Sequence, residues 1–128
     1  MKQVLDKNGT QLNLLKDTDL ESGMNENGTF WKFPSGLLIC IGKVTKNFNI
    51  SNPTTNGFYD DGYSIIFPYE FVDTNYNVNA FLSNDESLIF IYSVVNTTKD
   101  SALVNVFSHA ILENKQREVS FIAIGRWK

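Results

Sequence analysis

The chain has 128 residues, a length that suits one domain with a single core. Its 42% hydrophobic content excludes a disordered tail. A net charge of −3, with Lys and Arg scattered singly, excludes the basic surface that nucleic acid needs. No apolar run approaches the roughly 20 residues of a bilayer-spanning helix. We therefore expect a globular domain made in the cytoplasm, with no nucleic-acid partner and no membrane insertion.

Residues 1–28 differ from the rest of the chain in the spacing of their apolar residues. Their leucines are spaced irregularly around Asn8-Gly9, a dipeptide that favours a tight turn over a continued helix. The segment is also too short to build a core of its own. We predict a lead-in segment over residues 1–28 and one domain over residues 29–128.

From Thr29 onward, short β-branched and aromatic runs are separated by Asn, Asp, Gly, Ser and Pro, with no long stretch of helical period. Turn signals such as Pro34-Ser35-Gly36 fall between these runs. The strands predicted in this way cover residues 29–33, 37–46, 63–67, 76–82, 88–95, 101–108 and 119–127. Six or seven such strands predict an all-β fold, an antiparallel β-sandwich.

Three of these runs carry apolar residues on both faces, whereas residues 76–82 alternate as a strand with one buried face does. The two-sided runs are residues 37–41, 88–95 and 119–127. A small sandwich has one interior per sheet, and large exposed apolar patches are rare on monomers. We therefore expect a homo-oligomer. Its predicted interface residues are Ile89, Ile91, Ile122 and Ile124.

Residues 47–62 form the longest loop between the predicted strands, and long loops are commonly functional. Its second half mixes aromatic rings with hydrogen-bonding groups, which suits a shallow site for a sugar or a protein surface. Packing of the two rings on the core is an equally good interpretation. The predicted receptor-binding residues are Asn56, Phe58, Tyr59, Asp60 and Asp61. Lesser candidates are the turn at residues 83–87 and the segment at residues 112–118.

Catalysis is not expected from this sequence. His109 is the one histidine, so a histidine-based metal site lacks further histidine ligands. The one cysteine, Cys40, lies in a different, apolar strand, so a nucleophile with a well-oriented base is not expected either. The acidic residues fall in predicted turns, where carboxylates are usually solvated, rather than in a facing pair. There is no Gly-rich phosphate loop and no calcium loop. We predict no enzymatic activity, no cofactor and no bound metal.

Three segments occur in the order of a known architecture: TFWKFPSGLLICIG at residues 29–42, IIFPYEF at residues 65–71 and FIAIGRWK at residues 121–128. The first joins an aromatic-rich strand, a Pro-Ser-Gly turn and an apolar strand. The second contains a Phe-Pro-x-x-Phe pattern, and the third ends the chain. Together they resemble the C-terminal tip domain of bacteriophage and prophage tail fibres.

The resemblance implies a β-sandwich similar to H-type lectin domains, assembled as a parallel homotrimer at the end of a tail fibre in a virion. It also implies contact with the rest of the fibre and with a bacterial surface receptor such as a glycan. Two alternatives stay open. One is a purely structural module that trimerises and caps a fibre, and the other is a glycan-cleaving tail enzyme.

Overall fold

The computed structural model describes residues 20–60, 62–83 and 88–128. In these ranges the chain has no helix and forms ten strands in two antiparallel sheets around one core, as the predicted β-sandwich requires. The strands are β1 (Glu21–Asn25), β2 (Gly28–Lys32), β3 (Leu37–Ile50), β4 (Asn52–Thr54), β5 (Gly57–Tyr59), β6 (Tyr63–Ile66), β7 (Asn77–Leu82), β8 (Phe90–Asn96), β9 (Ser101–Ser108) and β10 (Leu112–Arg126).

The first sheet has the order β1-β2-β3-β10-β7, and the second has the order β4-β5-β9-β6, with β8 also paired to β9. Strand β9 is therefore central, with β5 and β6 following one another along one side of it and β8 on the other. Each of the seven predicted runs corresponds to a strand. Strand β1 lies within the predicted lead-in but pairs with β2 along its whole length, so the first sheet starts at Glu21.

Two segments outside the predicted strands are strands in the structure. Residues 47–50 continue β3, and residues 112–118 form the first half of β10, which pairs with β3 from Ile50 back to Leu37. The single irregularity in this ladder lies between Leu112 and Lys115. There Asn114 takes a left-handed conformation, which asparagine tolerates, and its N–H donates to Asn49 Oδ1 at 2.8 Å.

The core lies between the sheets and is rich in aromatic rings. Phe67 contacts Phe71, Tyr76 and Phe121, with ring centroids 5.0 to 5.7 Å apart. Gly125 is required here, because a Cβ at this position would lie 2.8 Å from both Phe71 and Tyr76. The close approach that Gly125 permits is therefore between elements of this one chain.

The C-terminal end of β10 is fixed by a buried lysine. Lys32 points inward from β2, donates to the Tyr69 hydroxyl at 2.8 Å and lies 3.1 Å from Glu21. Its ammonium group also lies over the rings of Tyr69 and Trp127, at 4.3 and 4.4 Å from their centroids. The Trp127 indole in turn donates to Phe33 O at 2.8 Å. These contacts hold the chain end against the β2–β3 turn.

Cys40 lies on the inner face of β3 with no exposed surface, as expected of a small buried hydrophobe. Burial raises the pKa of its thiol to about 12. Since the thiolate is the reactive form, we predict that iodoacetamide at pH 8 labels the folded protein at least about a hundredfold more slowly than the protein in urea. Mass spectrometry of timed samples measures both rates, and equal rates would contradict the burial.

The same shift predicts a loss of stability in alkali. A thiol whose pKa is higher in the folded chain stabilises the fold fully below the pKa of the unfolded thiol, near 9.0. This contribution declines as the pH rises from 9 toward 12. Urea unfolding of the wild type should therefore show a steeper loss between pH 8 and pH 10.5 than unfolding of Cys40→Ala, in which no thiol titrates.

Candidate functional site

Within the stretch predicted as a long loop, residues 52–59 form a hairpin. After β3 ends at Ile50, β4 and β5 pair through Asn52↔Tyr59 and Thr54↔Gly57, so that Thr55 and Asn56 form the turn. Strand β5 then joins β9 through only two residue pairs, Phe58↔Ser108 and Tyr59↔Phe107. The β4–β5 hairpin is thus attached to the second sheet through β5 and has a defined conformation.

A groove of about 490 Å³ opens beside this hairpin, on the outer face of the second sheet. Its volume is in the range of small-ligand sites, roughly 300–1,000 Å³. We call it the aromatic groove. Its described lining residues are Thr54, Thr55, Asn56, Tyr59, Tyr92 and Phe107.

Strand register brings Tyr59 and Phe107 together in the groove, and an irregularity in β8 adds Tyr92. Phe107 of β9 pairs with Tyr59 of β5 on one side and with Phe90 of β8 on the other, so these three side chains project from the same face. Tyr92 comes from the irregular stretch of β8 between Ile91 and Ser93 and is 56% exposed. The bulge thus turns an additional aromatic ring toward the solvent side of the sheet.

Gly57 lets the hairpin approach β9 closely. A Cβ on Gly57 would lie 2.5 Å from the Phe107 ring and 2.5 Å from Ser108 O, so any larger residue would displace the ring or the backbone. The Phe107 ring therefore packs directly over the hairpin backbone. This contact sets the spacing between the turn and the aromatic rings.

His109 provides a second connection between the hairpin and β9. Its ring packs edge-on against Phe107, with centroids 5.1 Å apart, and lies 6.1 Å from the Phe90 ring. Its Nδ1 lies 3.3 Å from Asn56 O, so the tautomer protonated on Nδ1 donates to the turn. The histidine that the sequence left without a role therefore supports one wall of the groove.

The five predicted receptor-binding residues do not all lie at one site. Asn56 and Tyr59 line the aromatic groove, and both are exposed. Phe58 packs against the core, which is the alternative that the sequence had left open for both rings. Asp60 accepts hydrogen bonds from the Tyr63 hydroxyl and from Asn49 N, so it joins β3, β5 and β6. Asp61 lies outside the described residues.

Four lining residues were not predicted from the sequence: Thr54, Thr55, Tyr92 and Phe107. The Asn56-Gly57 dipeptide is a common hairpin signal and could have indicated the β4–β5 turn. No local signal links that turn to Tyr92 and Phe107, because they are brought together only by long-range strand pairing.

The predicted interface residues lie in two different environments. Ile122 and Ile124 project from the outer face of the first sheet, where they pair with Ile41 and Ile39 of β3. We call these four side chains the isoleucine face. Its neighbours in the same rows are Trp31, beside Ile39, and the 79% exposed Met24, beyond Thr29. The face is a continuous, partly exposed apolar surface.

Ile89 and Ile91 do not belong to that surface. Ile89 is 0% exposed and lies in the core of the single chain, so it offers no surface to another subunit. The half-buried Ile91 also packs against the core. The interface predicted at Ile89 is therefore corrected to a core position. The predicted strand over residues 88–95 is apolar on both faces, but Ile89 and Ile91 take the inner face, and Leu88 and Phe90 are exposed.

Residues 20–60, 62–83 and 88–128 contain no cluster of three His, Cys, Asp or Glu side chains that could hold a metal ion. In the same ranges no helix is long and apolar enough to cross a bilayer. Of the lesser candidate patches, residues 84–87 lie outside the described ranges, and residues 112–118 belong to β10.

Comparison with protein-family models finds no match, and comparison with curated proteins finds none. Among solved structures, the fold is similar to a C-terminal fragment of the R1 pyocin fibre of P. aeruginosa, with a TM-score of 0.54 and 11% sequence identity. The match covers 98% of this chain and 35% of the fibre fragment. The chain therefore spans about a third of that structure and is similar to it in fold.

We predict that His109→Ala loosens the hairpin without unfolding the domain. The hydrogen bond to Asn56 O contributes about 0.5–1.5 kcal/mol, so its loss should speed amide exchange of residues 57–59 about three- to tenfold. Hydrogen exchange followed by NMR measures this rate. His109→Asn retains a donor near the Nδ1 position and should restore slow exchange, while the β3–β10 amides serve as the unchanged reference. Equal exchange in all three proteins would contradict the role of His109.

Proposed function

We propose that this chain is the tip module of a phage-type tail fibre, carried on a virion or a related tail particle. In this proposal it binds a bacterial surface receptor, a glycan, in the aromatic groove. The observation that carries the proposal is the groove itself, where Tyr59, Tyr92 and Phe107 stand beside the polar groups of Thr54, Thr55 and Asn56. Aromatic faces with adjacent hydroxyl and amide groups suit an amphipathic ligand such as a sugar ring. The shared fold with a pyocin fibre fragment supports the assignment to a tail fibre.

Binding in this proposal involves no catalysis. The described side chains that line the aromatic groove are hydroxyl, amide and aromatic groups, and none of them is a carboxylate, imidazole or thiol. Glycan cleavage needs a pair of carboxyl groups at the bond that breaks. The groove therefore favours recognition over the alternative of a glycan-cleaving enzyme.

Assembly as a homotrimer is the second part of the proposal. The isoleucine face lies on the first sheet, whereas the aromatic groove lies on the outer face of the second sheet. Burying the isoleucine face between three subunits would remove apolar surface from water and leave every groove open. Three grooves on one fibre end would multiply weak individual contacts into firm attachment.

Replacing the groove tyrosines tests receptor binding. Tyr59→Ala and Tyr92→Ala should each weaken the binding of fluorescently labelled protein to bacterial cells about tenfold or more, because large aromatic side chains dominate such contacts. Flow cytometry over a panel of Gram-negative and Gram-positive strains measures saturable binding.

Val72→Ala is the matched control, because Val72 is also an exposed apolar residue but its backbone bonds to the end of β10. This variant should bind as the wild type does. Absence of saturable binding to every strain would overturn the receptor function. Binding that survives both tyrosine substitutions would place the receptor site elsewhere, and would favour the purely structural alternative for this groove.

Placing a charge on the isoleucine face tests the assembly. Ile122→Asp should convert the trimer to monomer, because an unpaired carboxylate cannot be buried in an apolar interface without a large cost. Sedimentation equilibrium measures the mass, with the single chain at 14.5 kDa. Asn47→Asp is the control, since Asn47 is exposed on the same side of β3 beyond the isoleucine face. A monomeric wild type, or a trimer that survives Ile122→Asp, would contradict this interface.

A further inference from the structure

We infer that the aromatic groove selects an electrically neutral sugar ring and discriminates against sugars that carry a carboxylate or a phosphate. This inference rests on the proposed receptor function and specifies the chemistry of the ligand. Its basis is the composition of the lining, in which each described residue is uncharged: Thr54, Thr55, Asn56, Tyr59, Tyr92 and Phe107.

Anionic sugars require groups that this groove lacks among its described residues. A carboxylate or phosphate that leaves water is stabilised by Arg, Lys or a cluster of backbone N–H donors. Tyrosine and phenylalanine faces carry the negative side of the ring quadrupole, which does not attract an anion. An anionic sugar would therefore lose hydration in the groove without gaining a counter-charge.

Two lysines of the chain belong to the first sheet and already have partners there. The Lys32 ammonium is engaged with Tyr69, Trp127 and Glu21, and Lys43 lies 3.4 Å from Glu118. Asp60, which follows Tyr59 in sequence, is negative and is held by Tyr63 and Asn49. The chain as a whole carries a net charge of −3, which repels anionic ligands at a distance.

A neutral pyranose has an apolar face and polar hydroxyl groups, and the groove offers contacts to both. The C–H face of such a ring is apolar and can stack on an aromatic side chain, as the exposed rings of Tyr59 and Tyr92 allow. Its hydroxyl groups can exchange hydrogen bonds with the side chains of Thr54, Thr55 and Asn56, which supply donors and acceptors without charge. Because the His109 contact fixes the turn through Asn56 O, these polar groups are held in place before the ligand arrives.

Pairs of sugars that differ at C6, where one member is neutral and the other carries a carboxylate or a phosphate, test the inference on the full-length protein. The probes are methyl β-D-glucoside against methyl β-D-glucuronide, methyl β-D-galactoside against methyl β-D-galacturonide, and mannose against mannose 6-phosphate. Titration of each into isotopically labelled protein, followed by NMR, should shift the amides of residues 54–59 and of Tyr92 with at least one neutral sugar. Its charged counterpart should bind at least about tenfold more weakly. Equal or tighter binding of the charged member, or no shift with any neutral sugar, would overturn the inference.

Two variants show whether charge in the groove is the cause. Tyr92→Ala should abolish the shifts, whereas Val72→Ala should leave them as in the wild type. Thr55→Lys adds a cation to the turn and should reduce the neutral-to-charged preference at least about threefold. An unchanged preference in Thr55→Lys would contradict discrimination by charge. Saturable binding to cells together with tighter binding of the charged probes would reject this inference and leave the receptor function standing, whereas loss of all cell binding would reject the receptor function itself.

Discussion

The pairing of β3 with β10 is the constraint on which the rest of this fold depends. It joins residues 37–50 to residues 112–126, near the two ends of the described chain, and it provides the central strands of the first sheet. Strand β2 is added on one side and β7 on the other. Because side chains alternate between faces, a slip of one residue would move Leu38 and Cys40 out of the core and Ile39 and Ile41 into it. The register therefore determines both the core and the isoleucine face.

Alternation of apolar and polar residues allowed much of this fold to be predicted from sequence. The alternation indicated β7, where Asn77 and Asn79 face outward, and runs rich in β-branched residues indicated other strands. It was not readable in the first half of β10, whose polar sequence LENKQRE resembles a loop. That segment becomes a strand because β3 offers a partner along its whole length, so tertiary pairing outweighs a weak local preference. The same reasoning applies to β1, which is ordered by pairing with β2.

The candidate site could be predicted only in part, because it combines one local feature with two distant ones. Asn56 and Tyr59 belong to a hairpin whose composition already indicated binding. The pairing of β9 with β8 and with β5 brings Tyr92 and Phe107 to the groove. No short sequence motif indicates the register of these pairings. Ile89 illustrates the opposite error. Strand β8 is apolar on both faces, as the sequence indicated, but Ile89 and Ile91 belong to its inner face, whereas Leu88, Phe90 and Val95 are exposed. The sequence pattern alone does not tell which of two apolar faces meets the core.

The isoleucine face and the aromatic groove differ in chemistry, and this difference favours separate roles for them. The isoleucine face consists of β-branched aliphatic side chains in adjacent rows across β3 and β10, without the hydrogen-bonding groups that orient a small ligand. Such a surface gains most from burial against a similar apolar surface. The aromatic groove is concave and places hydroxyl and amide groups beside its rings, which favours a ligand that is partly polar. Because a sandwich holds its two outer faces on opposite sides of one core, association through the first leaves the second accessible. A single domain can then serve both assembly and recognition without either contact blocking the other.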